Sequence, residues 1–327
     1  MPISSVIIVG AGISGLLAGT VLQKNGIQVT LIDKGRGVGG RLATRRMDER
    51  IFDHGAQYFT AHDSRFQKFI DELLELGIIR VWTREFHSGT ANSFMSDNPR
   101  YIAPQGMTAV AKHFAKFLDV RTSEQVVFVS RNKHSWQVET ESGLTLSADA
   151  LILTPPLPQS LALLQTANFE LDPIHREELQ RITYQACFSL LVSMNETSQI
   201  PSPGGIWFTT DPKIKWIADN YMKGISPSPC ITVQSSGEFA LNFWETPDEE
   251  IANELLSAIK PYVNGSVLRY ELKRWRYAFA STFYHAPYEI LNSDPPLALA
   301  GDAFYAPRVE GGAISGISVA EALLKLP

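Results

Sequence analysis

The chain has 327 residues, 44% of them hydrophobic and 19% charged, with a formal net charge of −5. That length can bury a sizeable core and exceeds most single domains, so two domains are expected. The mildly acidic balance gives no basic stripe for nucleic acid or an anionic membrane. The only two cysteines, Cys187 and Cys230, are far apart, which excludes a disulfide framework and points to a reducing cytoplasm.

Val6-Ile7-Ile8-Val9 reads as a buried strand, Gly10-Ala11-Gly12-Ile13-Ser14-Gly15 as a tight turn, and Ile13 to Lys24 as a helix whose N-terminus faces phosphates. Gln28 to Ile32 is the second strand. It ends at Asp33, about 20 residues beyond the turn, where a carboxylate accepts hydrogen bonds from ribose hydroxyls. Strand, turn, helix, strand and acid in that order predict a dinucleotide site and leave NAD and FAD both open. The apolar stretch from Val6 to Leu22 has no basic leader and is broken by glycines, so neither a signal peptide nor a membrane span is read there.

Lys34 to Arg41 is a second glycine cluster, in which Arg36 and Arg41 offer donors to phosphate or to a flavin edge. Phe52-Asp53-His54-Gly55-Ala56-Gln57-Tyr58-Phe59 sets small residues among polar and aromatic ones, which suits backbone running along a flat ring. Helices are predicted over Phe66 to Leu76 and, after Ala103-Pro104-Gln105-Gly106, over Met107 to Leu118. Strands are predicted at Val126 to Val129, Ser135 to Thr140 and Ala148 to Thr154. From Leu157 to about Asp294 aromatic-rich strands alternate with helical patterns, including a helix at Ile251 to Ala258 and a strand at Leu268 to Ala278. A last buried strand, Leu297 to Ala300, ends in Gly301-Asp302. A loop through Arg308 and Glu310-Gly311-Gly312 then leads to a helix from Ala313 to Leu324. The expected division is 1–60, 100–156 and 295–327 for the dinucleotide-binding domain, and 61–99 and 157–294 for a substrate domain. No metal-ligand spacing is present.

With the nucleotide turn at one end, Gly-Asp and a glycine-started helix at the other, and GAQY between, the chain resembles the flavin-dependent amine oxidase superfamily. RGVGGR, DHGAQYF, APQGM, KRW, and GD followed by EGGAISGISVAEAL occur in the order of its renalase branch, over essentially the whole length. The resemblance implies an α/β fold: a Rossmann-type FAD-binding domain with an inserted α+β substrate domain, as in amine oxidases and p-hydroxybenzoate hydroxylase. It places the FAD pyrophosphate at Gly10, Gly12, Ser14 and Gly15 and the adenosine ribose at Asp33, and counts Ile13, Lys34 and Gly40 among the cofactor-binding residues. Arg41 is assigned to phosphate and the Val126 backbone to adenine. Ala56, Gln57 and Tyr58 are assigned to the isoalloxazine, and Asp302, after Gly301, to the ribityl or pyrophosphate region. Gly311, Gly312 and Ala313 are assigned to the pyrimidine edge, where a positive helix end stabilises reduced flavin. Glu310, counted with the cofactor-binding residues, and Arg308 lie beside the expected flavin face, either to orient substrate or to pair with each other.

Residues that depart from the superfamily pattern refine the expected activity. The loop from Tyr305 to Gly312 has no cysteine of the kind that bonds FAD in many monoamine oxidases, so FAD is expected to be non-covalent. Ile182 to Met194 has no lysine of the kind amine oxidases place near flavin N5, and Gln234 stands where renalases carry histidine. The renalase resemblance implies oxidation of aberrant 2- and 6-dihydro isomers of NAD(P)H to NAD(P)+, with O2 reduced to H2O2. Asn220, Gln234, Trp275 and Tyr277, with Trp216, are the candidates for stacking and orienting the substrate. His54, His113, His175 and His285 are weighed as catalytic groups against structural roles. The alternatives are a flavin amine oxidase or desaturase and, from another class, a non-catalytic binding protein of the GDP-dissociation-inhibitor type.

Overall fold

The computed structural model describes residues 3–88 and 93–326; residues 1, 2, 89–92 and 327 of the expected division lie outside the described residues. The strand Ser5–Val9 occupies the interior of a six-stranded sheet. Across the sheet the order is Glu289–Ser293, Pro296–Leu299, Ala150–Leu153, Ser5–Val9, Gln28–Asp33 and Asp119–Thr122. All neighbours are parallel except the edge strand Glu289–Ser293. Parallel strands are covered on both faces, which is why the central ones read as unbroken apolar runs. Leu16, Leu17, Ile314 and Ile317 pack with Ile8 and Leu31 on one face; Trp136, Leu164 and Leu179 pack with Ile7, Val9 and Leu153 on the other. Chain order reverses between Ser5–Val9 and Ala150–Leu153, and ligands of such sheets lie outside the strand ends at that reversal.

The second sheet has seven strands, in the order Val267–Ala280, Tyr184–Met194, Cys230–Ser235, Ile214–Asp219, Gly205–Trp207, Arg80–Ser88 and Ser93–Ile102. It is antiparallel except where Gly205–Trp207 runs parallel to Arg80–Ser88. Its far face carries the helices Gly237–Asn242 and Asp248–Ala258 over Phe188, Leu190, Val192, Ile217 and Val233. Its near face meets the hairpin of Thr44–Met47 and Arg50–Asp53, where Met47 and Phe52 pack on Leu191 and Cys230.

Several elements fall on the other side of the expected boundaries. The helix Ser64–Glu75, assigned to the substrate part, is capped by Asp63 and buries Phe66, Ile70 and Leu73 in the same core as Leu16 and Ile314. Residues 100–102 complete a strand of the seven-stranded sheet, and Glu289–Ser293 edges the nucleotide-binding sheet. An amphipathic pattern shows that a face is buried but not against which sheet. The final helix starts at Val309, with Arg308 as its extended N-cap, four residues before the expected start at Ala313. Glycine is a poor helix former, so Gly311 and Gly312 read as loop. Here their lack of Cβ is required: a Cβ on Gly311 would lie 1.9 Å from the Ala306 carbonyl oxygen.

Candidate active site

At the end of the first strand Gly10 turns with φ +102° and donates to the Ile32 carbonyl at 2.8 Å. Gly15 brings the following helix against that turn, since a Cβ there would stand 2.0 Å from the Gly10 oxygen. Gly12 is the extended N-cap of the helix Ile13–Lys24, and its own side offers open space. The first-turn amides therefore lack a side-chain cap, and Ser14 Oγ is buried without any partner. An uncapped helix end with an orphaned hydroxyl is the donor set that a phosphate satisfies.

Asp33 closes the next strand with both oxygens in use: Oδ2 accepts from the Ala11 amide and Oδ1 from the Gly35 amide, each at 2.7 Å. The acid is thereby fixed beside the turn and keeps further lone pairs for ribose hydroxyls. Lys34 Nζ donates to Gln159 and, with Arg36, Ser123, Gln125, Glu141 and Ser142, borders a hollow of about 360 Å³. Val126 lies at the start of the strand behind it, 7% exposed. Gly39 and Gly40, both at positive φ, fold the second glycine cluster back on the first, with the Gly39 amide on the Ala11 carbonyl. Arg41 then crosses to the end of the last parallel strand and meets Asp302 in two parallel contacts of 2.5 and 2.7 Å. Gly301, at φ +130°, donates to Ser315 Oγ of the final helix.

That helix packs along the first one. A Cβ on Gly316 would be 2.1 Å from the Ser14 oxygen, and one on Gly312 would be 3.2 Å from Ile13. Gly312 and Ala313 are buried in its first turns. Glu310 is turned elsewhere: its carboxylate accepts from the His62 and Asp63 amides at 2.5 and 2.8 Å and faces His62 Nδ1 at 2.7 Å. Its side chain therefore ties the final helix to the loop before Ser64.

The segment after the hairpin is held by the near face of the seven-stranded sheet. Thr232 Oγ1 donates to the Asp53 carbonyl, Ser189 Oγ and Trp275 Nε1 to the His54 carbonyl, and Gln234 Nε2 to the Gly55 carbonyl, all within 3.0 Å. On the other side the Ala56 amide donates to the Arg41 carbonyl. Gln57 Nε2 bonds the Asp53 and Gly55 carbonyls, leaving a buried Oε1 unpaired. The Tyr58 ring lies against Trp82 and Trp216.

The expected substrate residues are also tied into the fold. Gln234 Nε2 and Trp275 Nε1 donate to backbone carbonyls, and the Trp275 ring stacks on His54 at 5.4 Å. Asn220 is wholly buried: its Nδ2 donates to Thr232 Oγ1, its backbone carbonyl accepts the Ile225 and Ser226 amides, and its Oδ1 is buried without a partner. Tyr277 packs edge-on against Tyr184, and its carbonyl faces Arg41. His54 Nδ1 is buried without a partner, and burial, reinforced by Lys273, pushes the imidazole down to about 4, so it is neutral at pH 7. His113 pairs with Glu72 and His175 with Glu289, while His285 packs on the Tyr284 ring.

Sequence reasoning missed Ser189, Thr232, Gly316 and above all Lys223, whose ammonium reaches Asp53 with both side chains fully buried. An isolated Ser, Thr or Lys in a strand or turn carries no periodic signal. The lysine-free strand Tyr184–Met194 drew attention away from a lysine arriving by another element.

The uncapped helix end, the orphaned Ser14 hydroxyl and the backbone cradle at Gly55–Tyr58 fit FAD. Residues 8–73 match the NAD(P)-binding Rossmann-like domain, and residues 79–324 match the flavin containing amine oxidoreductase family. Renalase of Mus musculus is 26% identical over 98% of each chain; a 1-hydroxycarotenoid 3,4-desaturase of Flavobacterium sp. is 27% identical over 40% of this chain. Wild-type putrescine oxidase bound to putrescine superposes with a TM-score of 0.74 at 16% identity, covering 98% of this chain and 99% of that one. A putative protoporphyrinogen oxidase from Exiguobacterium sp. 255-15 gives 0.74 at 13% identity over 98% of each. Fold, site geometry and a family match across three quarters of the chain agree: this protein belongs to the flavin-containing amine oxidoreductases, as a renalase-like, FAD-dependent oxidoreductase.

Proposed function

We propose that the enzyme oxidises aberrant 2- and 6-dihydro isomers of NAD(P)H to NAD(P)+, with non-covalent FAD. The observation that carries this reading is the renalase similarity along the whole chain, at 26% identity. Bound FAD would supply the hydride-accepting and oxygen-reducing chemistry, with H2O2 as the product from O2. Gly10, Gly12, Ile13, Ser14 and Gly15 would hold the pyrophosphate and Asp33 the adenosine ribose, with Lys34, Gly40 and the Val126 backbone also on the cofactor. Arg41, Gly301 and Asp302 would hold the phosphate and ribityl stretch. Ala56, Gln57 and Tyr58 would line the ring, and the N-terminus of the last helix, through Gly311, Gly312 and Ala313, would meet its pyrimidine edge.

A dihydropyridine becomes aromatic when it loses hydride, and no N–H proton has to be removed, so the residues must stack and orient rather than act as bases. The site fits that demand. His54 is neutral and packed on Trp275, and the Lys223 ammonium is committed to Asp53. The rings of Tyr58 and Trp216 supply the aromatic surface beside the flavin-lining segment. Both cysteines are buried, with thiols raised to about 11 and about 12 by burial, which makes them poor nucleophiles and supports non-covalent FAD. Among the described residues, no helix is long and apolar enough to cross a membrane. Family membership sets aside the non-catalytic binding reading.

The deciding experiment is anaerobic mixing of the yellow enzyme with each class of donor. The 2- or 6-dihydro isomers are expected to bleach the flavin stoichiometrically and yield NAD(P)+, while mono- and polyamines leave it oxidised. Rapid bleaching by an amine, with none by the isomers, would install the amine oxidase reading in its place.

A further inference from the structure

Asp53 and Lys223 meet at 3.1 Å with neither side chain exposed. Burying two charges costs on the order of several kcal/mol per ion, and an apolar pair of equal volume is often as stable or more so. Stability alone is therefore a poor reason for the pair, and its connections suggest another.

The Asp53 carboxylate is a joint between three parts of the fold. Its Oδ1 accepts from Thr44 Oγ1 in the hairpin and from the Met107 amide at the head of the helix Thr108–Ala115, both at 2.8 Å. Its Oδ2 accepts from Lys223, in the turn after the strand Ile214–Asp219 of the other sheet. The carbonyl of the same residue takes Gln57 Nε2 and Thr232 Oγ1. Lys223 is itself anchored: its amide donates to Asp219, its carbonyl accepts Arg80 Nη2 at 2.6 Å, and its ammonium lies 5.4 Å from the centre of the Trp82 ring, which packs on Tyr58. Both ends of the flavin-lining segment, Asp53 and Tyr58, thus abut groups in contact with this lysine.

We propose that Lys223 is a positioning residue for the flavin, fixing the backbone of residues 53–58 from the substrate-side sheet through Asp53. The inference depends on FAD binding and not on which substrate is oxidised. Burial pushes the Lys223 ammonium towards its neutral form and Asp53 opposes this, so removing either partner alone leaves the other buried without its counter-charge.

The test compares wild type, Lys223→Met, Asp53→Asn and the double variant as holoenzymes. Three quantities are read: melting temperature, FAD released on dilution (recovered flavin fluorescence), and the visible circular dichroism and midpoint potential of the bound flavin. Each single variant is expected to melt early. The double variant leaves no unpaired charge, so it should regain most of the melting temperature yet hold FAD at least tenfold more weakly, with altered dichroism and potential. A double variant that holds FAD within twofold of wild type, with unchanged dichroism and potential, would reduce the pair to scaffolding and overturn the proposal. If the double variant does not fold, Lys223→Gln, which keeps a donor to Asp53, is compared with Lys223→Met: flavin retention and dichroism nearer wild type in the glutamine variant are expected, and equal flavin retention in the two would overturn the proposal.

Discussion

Arg41 and Asp302 lie 261 residues apart in sequence and are joined by two parallel hydrogen bonds of 2.5 and 2.7 Å. Arg41 ends the second glycine cluster and Asp302 follows the last parallel strand, so the pair ties the two ends of the chain together. Arg41→Lys keeps the charge but replaces a planar fork with a single ammonium, which cannot make both contacts. Losing one charge-assisted bond costs the joint about 1.5–3 kcal/mol, so the variant should melt earlier and, if the joint shapes the cofactor site, bind FAD more weakly. Titration of flavin fluorescence reads the second effect directly. Wild-type affinity in Arg41→Lys would mean that the fork is dispensable.

The nucleotide half was legible because its parts sit next to one another in sequence. Val6 to Val9, the glycine turn, Ile13 to Lys24 and Asp33 are one continuous unit with its own periodicity and punctuation. The flavin-lining segment was legible as a motif, but its supports were not. Ser189, Thr232, Gln234 and Trp275 come from three strands, and only sheet register places them on the Asp53 to Gly55 backbone. That Gln234 and Trp275 also hold this backbone was not legible, because a polar or aromatic residue in a strand reveals neither the face it occupies nor what it bonds. Glu310 was placed by its neighbours in sequence, whereas its partner, His62, arrives from across the fold. APQGM gains its reason only from the structure. Gly106, at φ +87°, leaves the room that Thr44 fills on its way to Asp53, since a Cβ would meet Thr44 at 2.3 Å.

Asp33→Ala should lower FAD occupancy in two ways. It deletes the acceptor for ribose and also frees the Ala11 and Gly35 amides that now shape the glycine turn. Asp33→Asn retains an oxygen for one of those amides and should fall between alanine and wild type. The ratio of visible to ultraviolet absorbance of the purified proteins measures occupancy. Equal occupancy in all three would remove Asp33 from the nucleotide site.

Gly316 brings the final helix against the first, with room for no side-chain atom against the Ser14 carbonyl. Gly316→Ala must push the helices apart, and overpacking of this kind costs about 1–3 kcal/mol. Because Ser14 carries the orphaned hydroxyl, the same displacement should weaken FAD. A lower melting temperature together with weaker flavin retention is expected, whereas Gly26→Ala, at an open position with φ +82°, should cost stability without the flavin effect. Unchanged flavin retention in folded Gly316→Ala would separate this helix contact from the cofactor.

His54 predicts how stability depends on pH. Burial, then the charge of Lys273, brings its pKa from an ordinary 6.5 to about 4 in the folded protein. Between those values the unfolded chain binds a proton that the folded one refuses, so folding stability falls as pH is lowered through this window. The slope approaches about 1.4 kcal/mol per pH unit, and the total is at most about 3 kcal/mol below pH 4. Above pH 7 the contribution is complete and constant. Other carboxylates titrate over part of the same range, so the informative quantity is the difference between wild type and His54→Leu, in which they cancel. Urea midpoints at pH 7.5, 5.5 and 4.5 should show wild type losing more stability than the variant on acidification. Parallel losses in the two proteins would mean that this imidazole is protonated as easily when folded as when unfolded, and that its stacking on Trp275 does not shield it from water.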